Sequence, residues 1–278
     1  MKYPRLVLAA LGLSGRGPRQ ATLDRAVRGR RVLVTGASRG IGAAVAERLA
    51  LAGAHVILIA RSEADLVALV DGLRARGASA EYLACDLRDV SAAQDAGRRV
   101  LAGGAPDVII SNAGHSIHRY LVDYADRFHD VSRTAGVNYL GPVALLLELL
   151  PSMRGGQLVN VSSASVVIPG PGWSAYGASK AAFDAWVRAV APELALQGVS
   201  TSSLRLPLVH TGMSSAWHGM PGLTEAGAAA LVCRAMTTRR RLVAPWWVRL
   251  IGAAMDAAPG ASDRVMTGYA RRERRPRS

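Results

Sequence analysis

Short runs of β-branched and other apolar residues alternate with longer stretches of helical period from residue 31 onward. Between the apolar runs, hydrophobic residues recur at spacings of three and four, as in 41–51 and 183–196, which is typical of helices with one buried face. We predict six buried strands, at residues 31–35, 55–60, 80–85, 107–111, 157–162 and 199–206. Regular alternation of strand and helix predicts an α/β fold with a doubly wound parallel sheet.

The length of 278 residues fits one α/β domain with short extensions. No internal repeat or low-complexity linker interrupts the pattern, so we expect a single domain. We assign residues 1–29 to an N-terminal extension, 30–256 to the domain and 257–278 to a basic C-terminal tail. A segment rich in Gly, Ser, Met and Trp, at about 211–224, falls outside the alternation and is predicted to be a substrate loop.

Two apolar segments near the ends of the chain have alternative interpretations. In 1–13 two cations precede a short apolar stretch, but that stretch is too short for a signal peptide and no convincing cleavage site follows. We expect there a short helix that packs on the domain or on a partner subunit. Residues 242–255 are strongly apolar and include Trp246 and Trp247. They predict a packing or dimer-interface helix, or alternatively a wall or membrane-facing rim of an acyl-chain pocket.

The net charge of +14 is carried almost entirely by arginine, since lysine occurs only at positions 2 and 180. Such a field attracts anions of many kinds. The densest cluster, at 271–277, is typical of a solvated, poorly ordered tail. No recognition motif accompanies the charge, so we expect no nucleic-acid partner. The two cysteines provide neither a disulfide framework nor metal-ligand spacing, which favours a cytoplasmic protein without a metal.

A glycine-rich loop follows the first strand and opens the first helix of the domain. Its residues are Thr35, Gly36, Ala37, Ser38, Arg39, Gly40, Ile41 and Gly42. Gly36 permits a tight turn, Gly40 lets the backbone approach a pyrophosphate, and Gly42 allows close packing of helix on strand. Because the positive helix N-terminus then faces the phosphates, the loop predicts a dinucleotide site on a Rossmann-type sheet.

Arg61 indicates which dinucleotide is bound. It follows the second strand, at the position where an acidic residue would bind the adenosine ribose of NAD. A guanidinium there suits a 2′-phosphate instead, and Arg39 in the glycine loop is placed to reach the same group. The sequence therefore predicts NADP(H) rather than NAD(H).

Tyr176 and Lys180 are four residues apart in a predicted helix and so share one face. Reduction of a carbonyl needs a proton donor, but a free tyrosine with a pKa of about 10 holds its proton tightly. A neighbouring ammonium favours the phenolate and lowers that pKa. One of the two lysines stands at this position, where its compact ammonium also suits a nicotinamide ribose. The pair predicts a catalytic centre.

Five ordered motifs in residues 30–215 resemble the short-chain dehydrogenase/reductase family. The glycine loop has the spacing of that family, and Tyr176 and Lys180 match its catalytic pair. The resemblance assigns a catalytic role to Ser163, thirteen residues before Tyr176, whose hydroxyl would bind the substrate carbonyl; Ser162 is the local competitor. It also implies that Asn138 supports a water-mediated proton path to the lysine.

Further cofactor contacts are implied by the same resemblance. Asp86 and Leu87 match the adenine-binding pair of the family. The element Asn112, Ala113 and Gly114 would line the cofactor, with Asn112 mainly structural. Contacts to the nicotinamide carboxamide are implied for Leu208, Val209 and Thr211, although the glycine that normally follows the proline of this element is missing. The family commonly forms dimers and tetramers, so a homodimer or homotetramer is expected.

Several phrases resemble bacterial fatty acyl-CoA reductases within that family, at 126–130, 138–141, 149–153 and 207–213. They imply a long hydrophobic or thioester-linked substrate, for which we predict a pocket lined by Met213, Trp217, Met220, Trp246 and Trp247. Histidines 115, 118, 129, 210 and 218 lack metal-ligand spacing, and we assign none of them to catalysis.

Three functions are compatible with the sequence. The leading hypothesis is an NADPH-dependent reductase of a small-molecule aldehyde or ketone, with Tyr176 as proton donor. A second is reduction of an acyl thioester to an aldehyde with release of a thiol. A third is a catalytically silent NADP-binding scaffold, which would have no need of an acid beside the nicotinamide. Contact of either terminus with a membrane is left open.

Overall fold

A parallel sheet of seven strands forms the centre of the computed structural model, which describes residues 16–217 and 219–273. Its strands are Arg31–Thr35 (β1), His55–Ala60 (β2), Ser79–Ala84 (β3), Val108–Ser111 (β4), Gln157–Ser163 (β5), Ser200–Leu206 (β6) and Leu242–Val243 (β9). They lie in the order β3-β2-β1-β4-β5-β6-β9. The predicted doubly wound fold is confirmed, and the six predicted strands agree within one residue at each end. A separate ribbon pairs Val209–His210 (β7) with Leu223–Thr224 (β8).

Helices cover both faces of the sheet. They are Gln20–Val27 (α1), Gly40–Leu51 (α2), Glu63–Ala75 (α3), Val90–Ala102 (α4), Phe128–Ala135 (α5), Gly141–Leu149 (α6), Ser174–Leu196 (α7), Glu225–Thr238 (α8), Trp246–Ala257 (α9) and Pro259–Glu273 (α10). One buried cluster joins the sheet to α1, α2, α3 and α8. A second joins the other face to α4, α6 and α7. Each face thus has its own apolar core.

The ends of the domain differ from the predicted boundaries. Leu23 and Val27 of α1 are fully buried in the core, so part of the predicted extension belongs to the domain. At the other end, α10 continues to Glu273, where we predicted a poorly ordered tail; the basic cluster therefore begins inside a helix. The segment interpreted as one packing helix, 242–255, contains β9 followed by α9. The predictions for 1–13 and for 274–278 lie outside the described residues.

One helical run among the described residues, Phe128–Ser152, is long and apolar enough by composition to cross a membrane. However, 56% of its apolar window is buried inside the protein. The run contains α5 and α6, and Leu145 and Leu149 belong to one of the two cores. Its apolar character is thus explained by packing against the sheet.

The carboxyl ends of the parallel strands meet at one edge of the sheet, where ligands bind in open α/β folds. The glycine loop follows β1, Arg61 follows β2, Asp86 follows β3 and Asn112 follows β4. Ser163 is the last residue of β5. The topology therefore brings together motifs that are far apart in sequence.

Candidate active site

Close packing around the glycine loop explains two of its glycines. Gly36 has a φ of +64°, and a Cβ there would lie 2.7 Å from the Cα of Ala113. At Gly42 a Cβ would lie 2.1 Å from the carbonyl oxygen of Gly36, so any side chain would push α2 away from the loop. Gly40, with a φ of +62°, has nothing nearer than 3.7 Å. The backbone at the start of α2 is therefore open to a phosphate.

Asn112 fixes this loop from the neighbouring strand. Its amide nitrogen donates to the carbonyl oxygens of Thr35, at 3.1 Å, and Gly36, at 3.3 Å. In return, the hydroxyl of Thr35 accepts from the backbone N–H groups of Asn112 and Ala113, both at 3.0 Å. These contacts agree with the structural role predicted for Asn112. Sequence reasoning missed the part played by the Thr35 hydroxyl.

Cationic side chains lie at the carboxyl ends of β1 and β2. Arg39, before α2, and Arg61, after β2, are both exposed, and Ser38 beside Arg39 is half-buried. The side chain of Asp86 accepts from the backbone N–H of Arg88 at 3.0 Å and from its guanidinium Nε at 2.9 Å. The hydrogen bonds from Arg88 lower the pKa of Asp86, burial raises it, and the charge of Arg61 lowers it more weakly. The pKa of Asp86 therefore lies below its usual value. The carboxylate predicted to meet adenine is thus paired with Arg88, a residue that sequence reasoning missed.

Tyr176, in the first turn of α7, meets Ser163 at the end of β5. The Ser163 hydroxyl is close enough to Tyr176 to lower the pKa of the phenol. The Ser163 Oγ accepts from the backbone N–H and the hydroxyl of Ser165, at 3.2 and 3.0 Å. The hydroxyl of Ser162 is buried and has no hydrogen-bond partner among the described residues. Of the two adjacent serines, Ser163 is the one in contact with the tyrosine.

Lys180 lies one helical turn beyond Tyr176, with only 6% of its surface exposed. Its ammonium donates to the carbonyl oxygen of Val161 in β5 at 3.1 Å. It also lies 3.3 Å from the position that a Cβ on Gly114 would occupy. Gly114, on the loop after β4, thus leaves room for the ammonium beside the edge of the sheet.

The pKa of Tyr176, beside Lys180, differs from our prediction. Burial raises the pKa of Tyr176 above its usual value, and the hydrogen bond with Ser163 opposes the rise only in part. We predicted that the Lys180 ammonium lowers this pKa, and that prediction is wrong. The pKa of Lys180 itself is lowered to about 8 by burial. Loss of water around a charged group outweighs attraction between neighbours here.

Asn138 lies in a π-helical segment, Gly136–Leu140, and is 1% exposed. Its carboxamide accepts from the backbone N–H of His115 at 2.7 Å and donates to the His115 carbonyl at 2.9 Å. The same nitrogen donates to the hydroxyl of Ser179 at 2.8 Å. Asn138 therefore fastens the loop after β4 to α7. The predicted water-mediated proton path stays a prediction.

Leu87 and Thr211, which the resemblance also assigns to cofactor binding, lie close to the start of α6 and to the glycine loop. A Cβ on Gly141 would lie 1.8 Å from the carbonyl oxygen of Leu87, so α6 begins against that loop. Thr211 lies 3.7 Å from the position of a Cβ on Gly40. The carbonyl oxygens of Leu208 and Val209 already accept hydrogen bonds, from the N–H of Leu223 at 2.9 Å and the hydroxyl of Ser214 at 2.6 Å. The implied carboxamide contacts stay predictions.

Three aromatic rings from separate segments of the chain contact one another, and one of them lies next to Tyr176. His118 is 4.9 Å from Trp173 and 5.4 Å from Trp217, measured between ring centroids, and Trp173 is 6.0 Å from Tyr176. We call His118, Trp173 and Trp217 the aromatic cluster. Of these three residues, the sequence analysis predicted only Trp217 as part of the pocket.

The other predicted pocket residues are outside the aromatic cluster. Met213, Met220 and Trp246 are each about half exposed, and Trp247 is partly buried. His218 lies outside the described residues. Within the described part of the chain, no group of three His, Cys, Asp or Glu side chains is arranged to hold a metal.

Comparison with known proteins gives concordant results. The model of the short chain dehydrogenase family matches residues 30–221. A fatty acyl-CoA reductase of Acinetobacter baylyi is 37% identical over 255 residues, which cover 89% of this chain and 86% of the relative. A fatty acyl-CoA reductase of Mycobacterium tuberculosis is 40% identical over 228 residues, covering 78% of this chain and 76% of the relative.

Solved structures show the same fold. A short chain dehydrogenase from Burkholderia cenocepacia in complex with NADP is 29% identical, with a TM-score of 0.72 over 78% of this chain and 96% of that one. A 3-oxoacyl (acyl-carrier-protein) reductase from Agrobacterium tumefaciens with NADP bound is 29% identical, with a TM-score of 0.71 over 82% and 97%. The chain belongs to the short-chain dehydrogenase family.

Proposed function

We propose that the protein is an NADP(H)-dependent oxidoreductase that reduces the carbonyl group of a hydrophobic small molecule, with Tyr176 as proton donor. The observation that carries the proposal is that the Ser163 hydroxyl acts on the phenol of Tyr176, one helical turn from buried Lys180. These groups lie at the same edge of the sheet as an open glycine loop. A binding scaffold would have no use for an acid at this place.

The residues present fit NADP(H). Gly36 and Gly42 fix the shape of the loop, Gly40 leaves the backbone at the start of α2 accessible, and Arg39 and Arg61 are exposed beside it. Two guanidinium groups suit a 2′-phosphate, and both similar structures named above contain NADP. When bound, NADPH supplies the hydride.

Each side chain of the centre has a distinct task. The hydroxyl of Ser163 would donate a hydrogen bond to the substrate carbonyl oxygen and stabilise the negative charge that develops on it. Tyr176 would give its proton to that oxygen. Burial raises the pKa of this phenol, so it is protonated at neutral pH, and the positive charge of Lys180 would favour the phenolate that forms as the proton leaves. Lys180 would hold a positive charge beside the tyrosine and Asn138 would position the helix that carries both.

A thioester is the second candidate substrate, because both relatives named above are fatty acyl-CoA reductases. In that reaction hydride adds to the thioester carbonyl carbon, the carbon–sulfur bond breaks, and the thiolate leaves and takes up a proton. The products are an aldehyde and a free thiol. The aromatic cluster beside Tyr176 provides an apolar surface for either kind of substrate.

Two further expectations stand with the proposal. Cys85 and Cys233 are buried and unpaired, as suits the reducing cytoplasm in which we place the protein. We also expect a homodimer or homotetramer, as is common in this family.

The test is NADPH oxidation by the purified protein with medium and long aldehydes, ketones and acyl-CoA thioesters, while a thiol reagent reports released coenzyme A. Oxidation without thiol supports carbonyl reduction, and oxidation with thiol supports the acyl reductase. Tyr176→Phe should abolish turnover and spare NADPH binding. Tyr269→Phe, the same change on exposed α10, is the control and should be fully active. Full activity of Tyr176→Phe would refute the assigned role.

A further inference from the structure

Asp130 carries a buried charge that the reaction proposed above does not use. It lies in the first turn of α5 and is 2% exposed. Its Oδ2 is 3.1 Å from both Nε and Nη2 of Arg119 and 3.3 Å from Nε of Arg127. Its Oδ1 is 3.3 Å from Nε2 of His129. A carboxylate that only stabilised the start of the helix would need no partner eleven residues away, so the contact with Arg119 calls for another explanation.

Arg119 connects this carboxylate to the loop that leads into the catalytic helix. Its guanidinium binds Asp130, while its backbone N–H donates to the carbonyl oxygen of Gly172 at 2.8 Å. Gly172 directly precedes Trp173, whose ring lies 6.0 Å from that of Tyr176. One residue therefore joins α5 to the segment beside the proposed proton donor.

Residues 115–119 are fastened at both ends, and we call them the anchored segment. At one end, the carboxamide of Asn138 binds the backbone N–H and the backbone carbonyl of His115, at 2.7 and 2.9 Å. At the other end, Asp130 binds Arg119. Asn138 lies in the π-helical segment that continues α5, so both contacts come from one helical run. The anchored segment is thus fixed relative to α5.

The anchored segment carries one ring of the aromatic cluster. His118 stands directly before Arg119, and its ring lies 4.9 Å from Trp173 and 5.4 Å from Trp217, measured between centroids. A Cβ on Gly172 would overlap the His118 ring, so the ring is packed closely against the loop before α7. The position of this ring therefore depends on where the neighbouring Arg119 is held.

We propose that Asp130 and Arg119 are positioning residues that hold His118 in the aromatic cluster, and that the cluster is the apolar wall against which the substrate binds. The pair acts through the anchored segment and not on the reacting atoms. This inference rests on the function proposed above, because the wall has a use only if a carbonyl compound binds beside Tyr176. A wall contacts the substrate before and during the reaction alike, so its loss raises KM and leaves kcat nearly unchanged.

The test is the variant Arg119→Met, with Arg127→Met as the matched control. Methionine removes the guanidinium but leaves the backbone N–H that binds Gly172. Arg127 contacts the same carboxylate oxygen, whereas its backbone N–H donates to Tyr124 and not to the loop before α7. With the most active compound of the panel above, Arg119→Met should raise KM about tenfold, because a hydrogen bond between charged groups is lost. Its kcat and its NADPH affinity should not change, and Arg127→Met should keep the KM of the unaltered protein.

Arg119→Lys is a conservative variant that distinguishes positioning from a general loss of stability. Lysine keeps the positive charge beside Asp130 but has one nitrogen in place of the planar guanidinium. We expect its KM to lie between those of the unaltered protein and Arg119→Met. It decides the question in the same way if Arg119→Met does not fold, which urea unfolding of each variant shows.

Near-ultraviolet circular dichroism provides a readout that needs no substrate. The variant His118→Ala gives the reference spectrum of a cluster that lacks this ring. Arg119→Met should shift the spectrum toward that reference, and Arg127→Met should leave it unchanged. Absence of turnover by the unaltered protein with every compound would refute the proposed function, while this comparison would still decide whether the pair positions His118.

Two results would overturn the inference. An unshifted spectrum of Arg119→Met would show that the pair does not hold His118 in place. An unchanged KM in Arg119→Met, or an equal rise in both methionine variants, would show that the pair only balances the charge of Asp130 and does not position a wall for the substrate.

Discussion

Substitution of Gly42 by alanine tests the close approach of α2 to the glycine loop. The added Cβ would stand 2.1 Å from the Gly36 carbonyl oxygen, 2.7 Å from the Asn112 amide nitrogen and 2.8 Å from the Gly36 carbonyl carbon. Two of these atoms belong to the backbone, so the conflict is not relieved by rotation of a side chain. Overpacking of this kind costs about 1–3 kcal/mol. We expect Gly42→Ala to reduce the free energy of unfolding by that amount and to weaken NADPH binding.

Gly72→Ala is the matched control for this experiment. Gly72 is exposed in α3, and a Cβ there would have nothing within 4 Å. Alanine in a helix interior is favoured over glycine by roughly 0.5–1 kcal/mol, so the same substitution should stabilise the protein here.

Urea unfolding and NADPH titration of both variants give the measurement. The expected result is opposite shifts of the unfolding midpoint with similar slopes. If Gly42→Ala unfolds at the midpoint of the unaltered protein and binds NADPH equally well, the close approach does not constrain this site.

Three other predictions follow from the same region. Lys180 keeps a pKa of about 8 when folded, against 10.5 when unfolded, so the unfolded chain binds more protons between those values and stability should rise with pH there. The variant Lys180→Met should lose this pH dependence and should be more stable than the unaltered protein below pH ~8, by up to roughly 3 kcal/mol. Urea unfolding at several pH values measures the effect, and an unchanged pH profile would contradict the prediction. Asn138→Ala loses three hydrogen bonds in a buried site and should unfold about 2–4 kcal/mol more easily, whereas a shift below about 0.5 kcal/mol would contradict the fastening role. Arg61→Glu should weaken NADPH binding at least ~10-fold without weakening NADH binding, in fluorescence titrations; equal loss for both would show that Arg61 does not contact a 2′-phosphate.

The sheet and the order of the motifs could be predicted from the amino-acid sequence. Buried parallel strands are apolar on both faces, so β1, β2 and β4 are readable as continuous runs. The spacing of Tyr176 and Lys180 placed both on one helix face, because the geometry of a single helical turn depends only on residues that are close in sequence. The spacing in the glycine loop likewise indicated its three glycines before any contact was known.

Features with weak local signals were not predictable. Strand β9 has two residues, too few to show a period, and pairs with β6 only because α8 returns the chain to that edge. Helix α10 has a weakly apolar sequence that composition alone assigned to a tail. Both elements are defined by what lies beside them.

Tertiary structure alone decided the chemistry around Tyr176. Whether Ser162 or Ser163 meets the tyrosine depends on the direction of each side chain at the end of β5, which the spacing in sequence does not fix. The rise in the pKa of Tyr176 depends on how much water the surrounding loops exclude. Likewise His118, Trp173 and Trp217 come from three segments, far apart in sequence, and form one cluster only after the chain has folded. Periodicity is a property of neighbouring residues, whereas burial and contact are properties of the whole fold.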